Sequence, residues 1–147
     1  MLKLRDPIVI NKKTYIPLGK VRYSYGRGFW EEWFLKGEDN REYWLSIDEG
    51  DFVLQHKTSM SLPFQSPHSI RVGSKHGEFM VSEKGEGTCV GFEGELPEKV
   101  ELEKKHYYLH LSKGGGNLVT VEYGVGTNKI FTGRWIDPLE IKRLYGE

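Results

Sequence analysis

Hydrophobic and polar positions alternate with a period of two along most of this chain, and that is the pattern of half-buried strands. Ile8-Val9-Ile10, then Asn11-Lys12-Lys13, then Thr14-Tyr15-Ile16 reads as a hairpin. Val21 to Tyr25 continues as strand until Gly26-Arg27-Gly28 interrupts it. Phe29 to Leu35 is strongly strand-prone, Gly37-Glu38-Asp39-Asn40 is a turn cluster, and Glu42 to Ile47 returns as the partner strand. Asp48-Glu49-Gly50-Asp51 then turns into Phe52-Val53-Leu54. In the second half, Glu78 to Glu83, Gly87 to Glu93, His106 to Leu111, Asn117 to Tyr123 and Thr127 to Ile136 read as strands. Gly85-Glu86-Gly87 and Gly114-Gly115-Gly116-Asn117 read as turns between them.

Residues 57–69 break the alternation with Pro63, Pro67 and several serines. They are expected to form a Ser/Pro loop between two β halves, 1–56 and 70–147, of a single domain spanning 1–147, because neither half alone makes a comfortable core. One short helix is predicted over about residues 138–145. Asp137 is its N-cap, Pro138 its first residue and Glu140 its third, a capping-box arrangement. The expected fold is therefore all-β: a single antiparallel, partly open barrel or sandwich with that C-terminal helix. Two small sheets packed orthogonally are the alternative.

Composition narrows the function classes. The 147 residues balance 21 basic against 21 acidic side chains. A nucleic-acid binder would show a basic excess, so no nucleic-acid partner is expected. Charge is uneven along the chain: Lys/Arg dominate residues 1–27 and Asp/Glu dominate residues 28–51. Cross-strand pairing is the plain explanation. The single cysteine, Cys89, allows no intrachain disulfide and fits a reducing compartment. The start of the chain shows no apolar signal region, and no run approaches a membrane span of about 20 residues. The expectation is a cytoplasmic protein with no direct membrane insertion.

The segments Trp30-Glu31-Glu32-Trp33, Tyr43-Trp44-Leu45 and Asp48-Glu49-Gly50 resemble the first half of the bacterial family called domain of unknown function 4178. Gly94-Glu95-Leu96-Pro97, Tyr123 and Phe131-Thr132-Gly133-Arg134 resemble its later elements. The resemblance implies a bacterial, mainly β protein. It also implies an accessory role beside small membrane proteins or polyamine-synthase-like enzymes. It carries no catalytic residues across.

Alternation places Phe29, Glu31, Trp33 and Leu35 on one face of their strand and Trp30, Glu32, Phe34 and Lys36 on the other. Both faces carry large aromatics, so the second must be covered or used. Glu31 and Glu32 point apart and cannot act as a carboxylate pair. His106 and His110 lie about 13 Å apart on a strand, at about 3.3 Å per residue, too far to share an ion. With Tyr108 they read as a polar outer face over a buried Tyr107, Leu109 and Leu111. No metal site and no cofactor are expected. Cys89 lacks a base and reads as a small buried residue. Neither glycine-rich stretch opens a helix, so neither reads as a phosphate cradle.

The candidate binding residues are Tyr25, Arg27, Trp30, Glu32 and Trp44; Arg27 could hold an anion or stack on a ring. The leading functional expectation is a non-enzymatic bacterial accessory or interaction module. It would bind a protein partner, including a membrane-associated one, through an aromatic surface. The first alternative is a β-barrel that binds a small molecule such as a polyamine, a lipid or an anion. An enzyme is the second alternative, for which no catalytic constellation is visible.

Overall fold

The computed structural model describes residues 2–58, 71–74, 77–114, 117–124 and 127–144. Eleven strands run through them: β1 Ile8–Ile10, β2 Lys13–Ser24, β3 Phe29–Gly37, β4 Glu42–Asp48, β5 Asp51–Lys57, β6 Arg71–Ser74, β7 Gly77–Gly94, β8 Lys105–Gly114, β9 Asn117–Gly124, β10 Thr127–Ile136 and β11 Ile141–Arg143. All pairings are antiparallel. Eight strands close into a barrel in the order β2-β3-β4-β5-β10-β9-β8-β7, and β7 returns to β2.

The fold is thus an all-β barrel, and it is closed rather than partly open. Closure rests on β2, whose Gly19–Ser24 stretch pairs with β3 on one side and β7 on the other. The first-half strands β2–β5 form one side of the wall and the second-half strands β7–β10 the other, and the two halves meet at the β2–β7 and β5–β10 pairings. The Ser/Pro loop lies outside the described residues apart from Lys57, which ends β5, and Thr58.

The tight turns follow their sequence chemistry. Asn11 and Lys12 both have positive φ (48° and 66°) between the paired Ile10 and Lys13. Glu49 and Gly50 do the same (47° and 90°) between Asp48 and Asp51. Two left-handed residues in a two-residue loop match the right-handed strand twist. Asn40, at φ 65°, turns β3 into β4 as the Gly37 to Asn40 cluster predicts.

Part of the outer wall is buried too. Ile8 and Ile10 of β1 cover Trp33, Leu35, Leu45, Leu54 and Ile136, with Tyr15 in the same cluster. Fully burying a side chain such as Leu35 or Leu45 contributes about 2 kcal/mol each. Leu109, Leu111, Val119 and Val121 form a second buried cluster on β8 and β9.

Two expectations need correction. The C-terminal helix over about 138–145 is a single 3-10 turn, Pro138–Glu140. Asp137 does cap it: its Oδ1 accepts from Leu139 N at 2.9 Å, and Glu140 Oε1 accepts from Asp137 N at 3.2 Å. Ile141 to Arg143 then leave the helix because they pair with β1, Ile141 opposite Ile10. Asp137→Ala should cost about 1 kcal/mol of unfolding free energy, read by urea denaturation. No loss would mean the cap is not used in solution. The second correction concerns Gly85-Glu86-Gly87. It is not a turn but lies inside β7, pairing with Tyr108, Tyr107 and His106 of β8.

Candidate functional site in the barrel lumen

Each wall strand sends alternate side chains inward. On β3 the tryptophans each donate to the glutamate on their own face: Trp30 Nε1 to Glu32 Oε2 at 3.3 Å inside, and Trp33 Nε1 to Glu31 Oε1 at 3.2 Å outside. Outside, Lys20 Nζ also stands 3.7 Å from Glu31 and 5.0 Å from the centre of the Trp33 ring. The two faces that alternation separates are therefore two environments, one under β1 and one in the lumen.

On β8 the faces are the reverse of the sequence expectation. His106, Tyr108 and His110 face the lumen, while Leu109 and Leu111 belong to the outer cluster. Alternation along one strand separates the faces but does not say which is interior.

Aromatic rings pack the middle of the lumen. Trp30 stacks on Tyr23 at 4.8 Å between centroids and on Tyr25 at 5.9 Å, and meets Tyr108 edge-on at 5.5 Å. Tyr23 also stacks on the His106 imidazole at 4.7 Å. Glycines in β7 make this possible. A Cβ on Gly87 would collide with the Cη2–Cζ3 edge of the Trp30 ring, and one on Gly85 would lie 2.7 Å from Tyr108 Oη.

Beside the stack three strands bring their acid and base groups together. Glu32 of β3, His106 of β8 and Glu122 of β9 each place one ligand-type atom within 4.8 Å of the others. His106 Nε2 stands 3.7 Å from Glu122 Oε1 and has no hydrogen-bond partner among the described residues. Burial, helped by Lys129, lowers the His106 pKa to about 4, so the ring is neutral near pH 7. The His106–Glu122 approach is then not an ion pair. Burial pushes Glu32 up to about 7, against the Trp30 hydrogen bond and the field of Lys129. Burial raises Glu122 as well, and the charge of Glu32 raises it further. Thr120 Oγ1, two residues before Glu122 on the same face, is also buried and unpartnered among the described residues. Each such group costs about 1–3 kcal/mol when left unsatisfied.

The cluster borders a cavity of about 840 Å³ whose walls include Val21, Tyr23, Trp44, Cys89, Lys129 and Phe131. The β7–β8 connection, residues 95–104, stands over this end. Its Leu96 and Val100 pack against Val21, Tyr23, Trp30 and Cys89. Glu95 N donates to Leu18 O at 2.7 Å, Arg5 pairs with Glu95 at 2.8 Å, and Glu98 pairs with Lys129. Leu18 is the residue that the irregularity between Pro17 and Gly19 takes out of the β2–β3 register, so its carbonyl is free for Glu95. Towards the other end lies a cleft of about 30 Å³, lined by Glu32, Ser46, Gln55, Thr120 and Trp135 among others. There Tyr25 Oη donates to Glu49 at 3.1 Å and to Asp48 at 3.3 Å.

Four of the five residues picked from sequence belong to this interior. Trp30, Glu32 and Trp44 line the lumen, and Tyr25 borders it through Trp30. Arg27 does not join them; it is exposed on the turn between β2 and β3. Trp30 is only 4% exposed, so the expected aromatic surface is an interior wall. His106 and Glu122 are the residues sequence reasoning missed. Glu122 left a faint signal as an acid between Val121 and Tyr123 in the strand-prone run Leu118 to Tyr123.

Fold and site together define a closed eight-stranded β-barrel with an aromatic, acid-bearing lumen. A family model described as "Domain of unknown function (DUF4178)" matches residues 3–138, and the chain belongs to that family. No curated protein and no solved structure matches the chain.

Proposed function

We propose that the protein is a small-ligand-binding barrel whose lumen takes a positively charged ligand. One observation carries this reading. Glu32, His106 and Glu122 converge three electron-pair donors in the barrel lumen, and Lys129, whose charge acts on both acids, is ion-paired to Glu98. A cationic occupant would satisfy those donors and remove the mutual repulsion of the two carboxylates. The surrounding rings of Tyr23, Trp30, Trp44 and Phe131 suit a cation as well, since ring faces attract positive charge. Of the three small-molecule classes open from sequence, an amine is the one that Glu32 and Glu122 suit; Lys57, Lys99, Lys104, Lys105 and Lys129 also line the cavity. A protein partner held by Trp30 would need that ring outside the barrel.

Thermal denaturation with added cations tests this. An organic diamine or a divalent metal salt at 100 times its Kd stabilises a native-only site by about 2.7 kcal/mol. That corresponds to a rise of about 5–10 °C in melting temperature for a chain of this size. Glu122→Gln should lose the rise. If neither kind of cation shifts the wild-type transition, the reading is wrong.

A further inference from the structure

We propose that Glu32, His106 and Glu122 form a three-ligand site for a divalent first-row transition metal ion of the zinc class. This rests on the reading that the lumen holds a cation, and it names which kind. The donor set argues for it. One imidazole nitrogen and two carboxylates are the ligands such ions take, with a further position left for water or a bound molecule. Magnesium and calcium favour all-oxygen sites, so the imidazole disfavours them.

Geometry supports the same reading. Bonds of about 2.0–2.2 Å require donors about 3–4 Å apart. His106 Nε2 and Glu122 Oε1 already stand at 3.7 Å, and all three donors fall within 4.8 Å. Each ligand comes from a different strand, and the walls hold them. Tyr23 stacks flat on the His106 ring at 4.7 Å. Trp30 Nε1 holds Glu32 Oε2, leaving Oε1 for the ion. A hydrogen bond of that kind to a ligating carboxylate orients it and tunes its affinity. Glu122 is only 9% exposed, and its Oε1 stands 3.7 Å from His106 Nε2. The ion's open position would face the 840 Å³ cavity that the same three residues border.

The experiment uses the full chain, stripped with chelator and dialysed. Titration calorimetry with zinc chloride, and visible absorption with cobalt chloride, should show one ion per chain. Cobalt should give the ligand-field bands of a low-symmetry site containing nitrogen. His106→Gln and Glu122→Gln should each weaken zinc at least about 100-fold and remove the cobalt bands, with circular dichroism confirming that both variants keep the fold. No zinc uptake, or uptake unchanged in both variants, overturns the proposal. A parallel arm adds 1,4-diaminobutane to the metal-free protein. If the diamine raises the melting temperature and the metals do not bind, the metal proposal falls while the lumenal cation reading stands. If neither binds, both fall.

Discussion

Glu32→Gln will make the metal-free protein more stable at pH 8 while removing its cation binding. Glu32 sits in the lumen wall with its pKa raised to about 7, chiefly by burial. In the unfolded chain it titrates near the usual carboxylate value. Between about pH 4.5 and 7 the native state therefore binds more protons than the unfolded state. Stability then falls as pH rises through that window. Glutamine keeps the shape and an oxygen for Trp30 Nε1 but carries no charge to desolvate. The variant should match the wild type near pH 4.5 and exceed it by on the order of 3 kcal/mol at pH 8. Glu122 reinforces the sign, because its pKa is raised by burial and by Glu32, and the substitution relieves the second cause. His106 works the other way. Its folded pKa of about 4 lies below the unfolded value, so its contribution grows as pH rises to about 6.5. The falling wild-type limb should therefore be clearest above pH 6.5. Urea denaturation in chelator from pH 4.5 to 8.5 reads both curves, and parallel curves would show that Glu32 is solvated.

Gly87→Ala should lower stability by about 3 kcal/mol, at the upper end of what overpacking a core costs. The new methyl would collide with the Cη2–Cζ3 edge of the Trp30 ring. That ring can move only by disturbing the Tyr23 stack at 4.8 Å and the Tyr108 contact at 5.5 Å. It would also carry Trp30 Nε1 away from Glu32, so binding and tryptophan emission should change together with stability. Gly91 supplies the control on the same strand. Nothing lies within 4 Å of a Cβ placed there, so Gly91→Ala should be neutral or mildly stabilising. Equal losses in the two variants would show that strand backbone, not the Trp30 contact, sets the cost.

The wall of this barrel was more legible in the sequence than its interior. Strands such as Phe29–Gly37 and Glu42–Asp48 are written in local alternation, and the turn at Asn40 in local turn chemistry. The glycines at 85 and 87 misled because a glycine in sequence signals a turn. Here it answers to Trp30 and Tyr108, rings brought in by other strands. The capping box at Asp137 was readable, but it could not reveal that Ile141 would be claimed by Ile10. The candidate site was half legible. Alternation put Trp30 and Glu32 on one face, and the structure puts that face inside. Glu32, His106 and Glu122 have no motif spacing, because their proximity arises from opposite walls meeting across a lumen. Judging His106 against His110 alone tested the wrong pair.

The ring of strands has a consequence for how the chain reaches its native state. Its two long-range seams join Val21 to Phe92 and Trp135 to Val53, partners distant in sequence. The loop entropy of both joins must be met before either is rewarded by its neighbours, which places such topologies among slow folders. Until the second seam forms, β2 or β5 presents a row of unsatisfied backbone groups, the kind of edge that recruits another chain. The same closure that walls in Glu32, His106 and Glu122 is thus what makes the half-assembled molecule prone to self-association, and a chain stopped before β7 would keep that liability permanently.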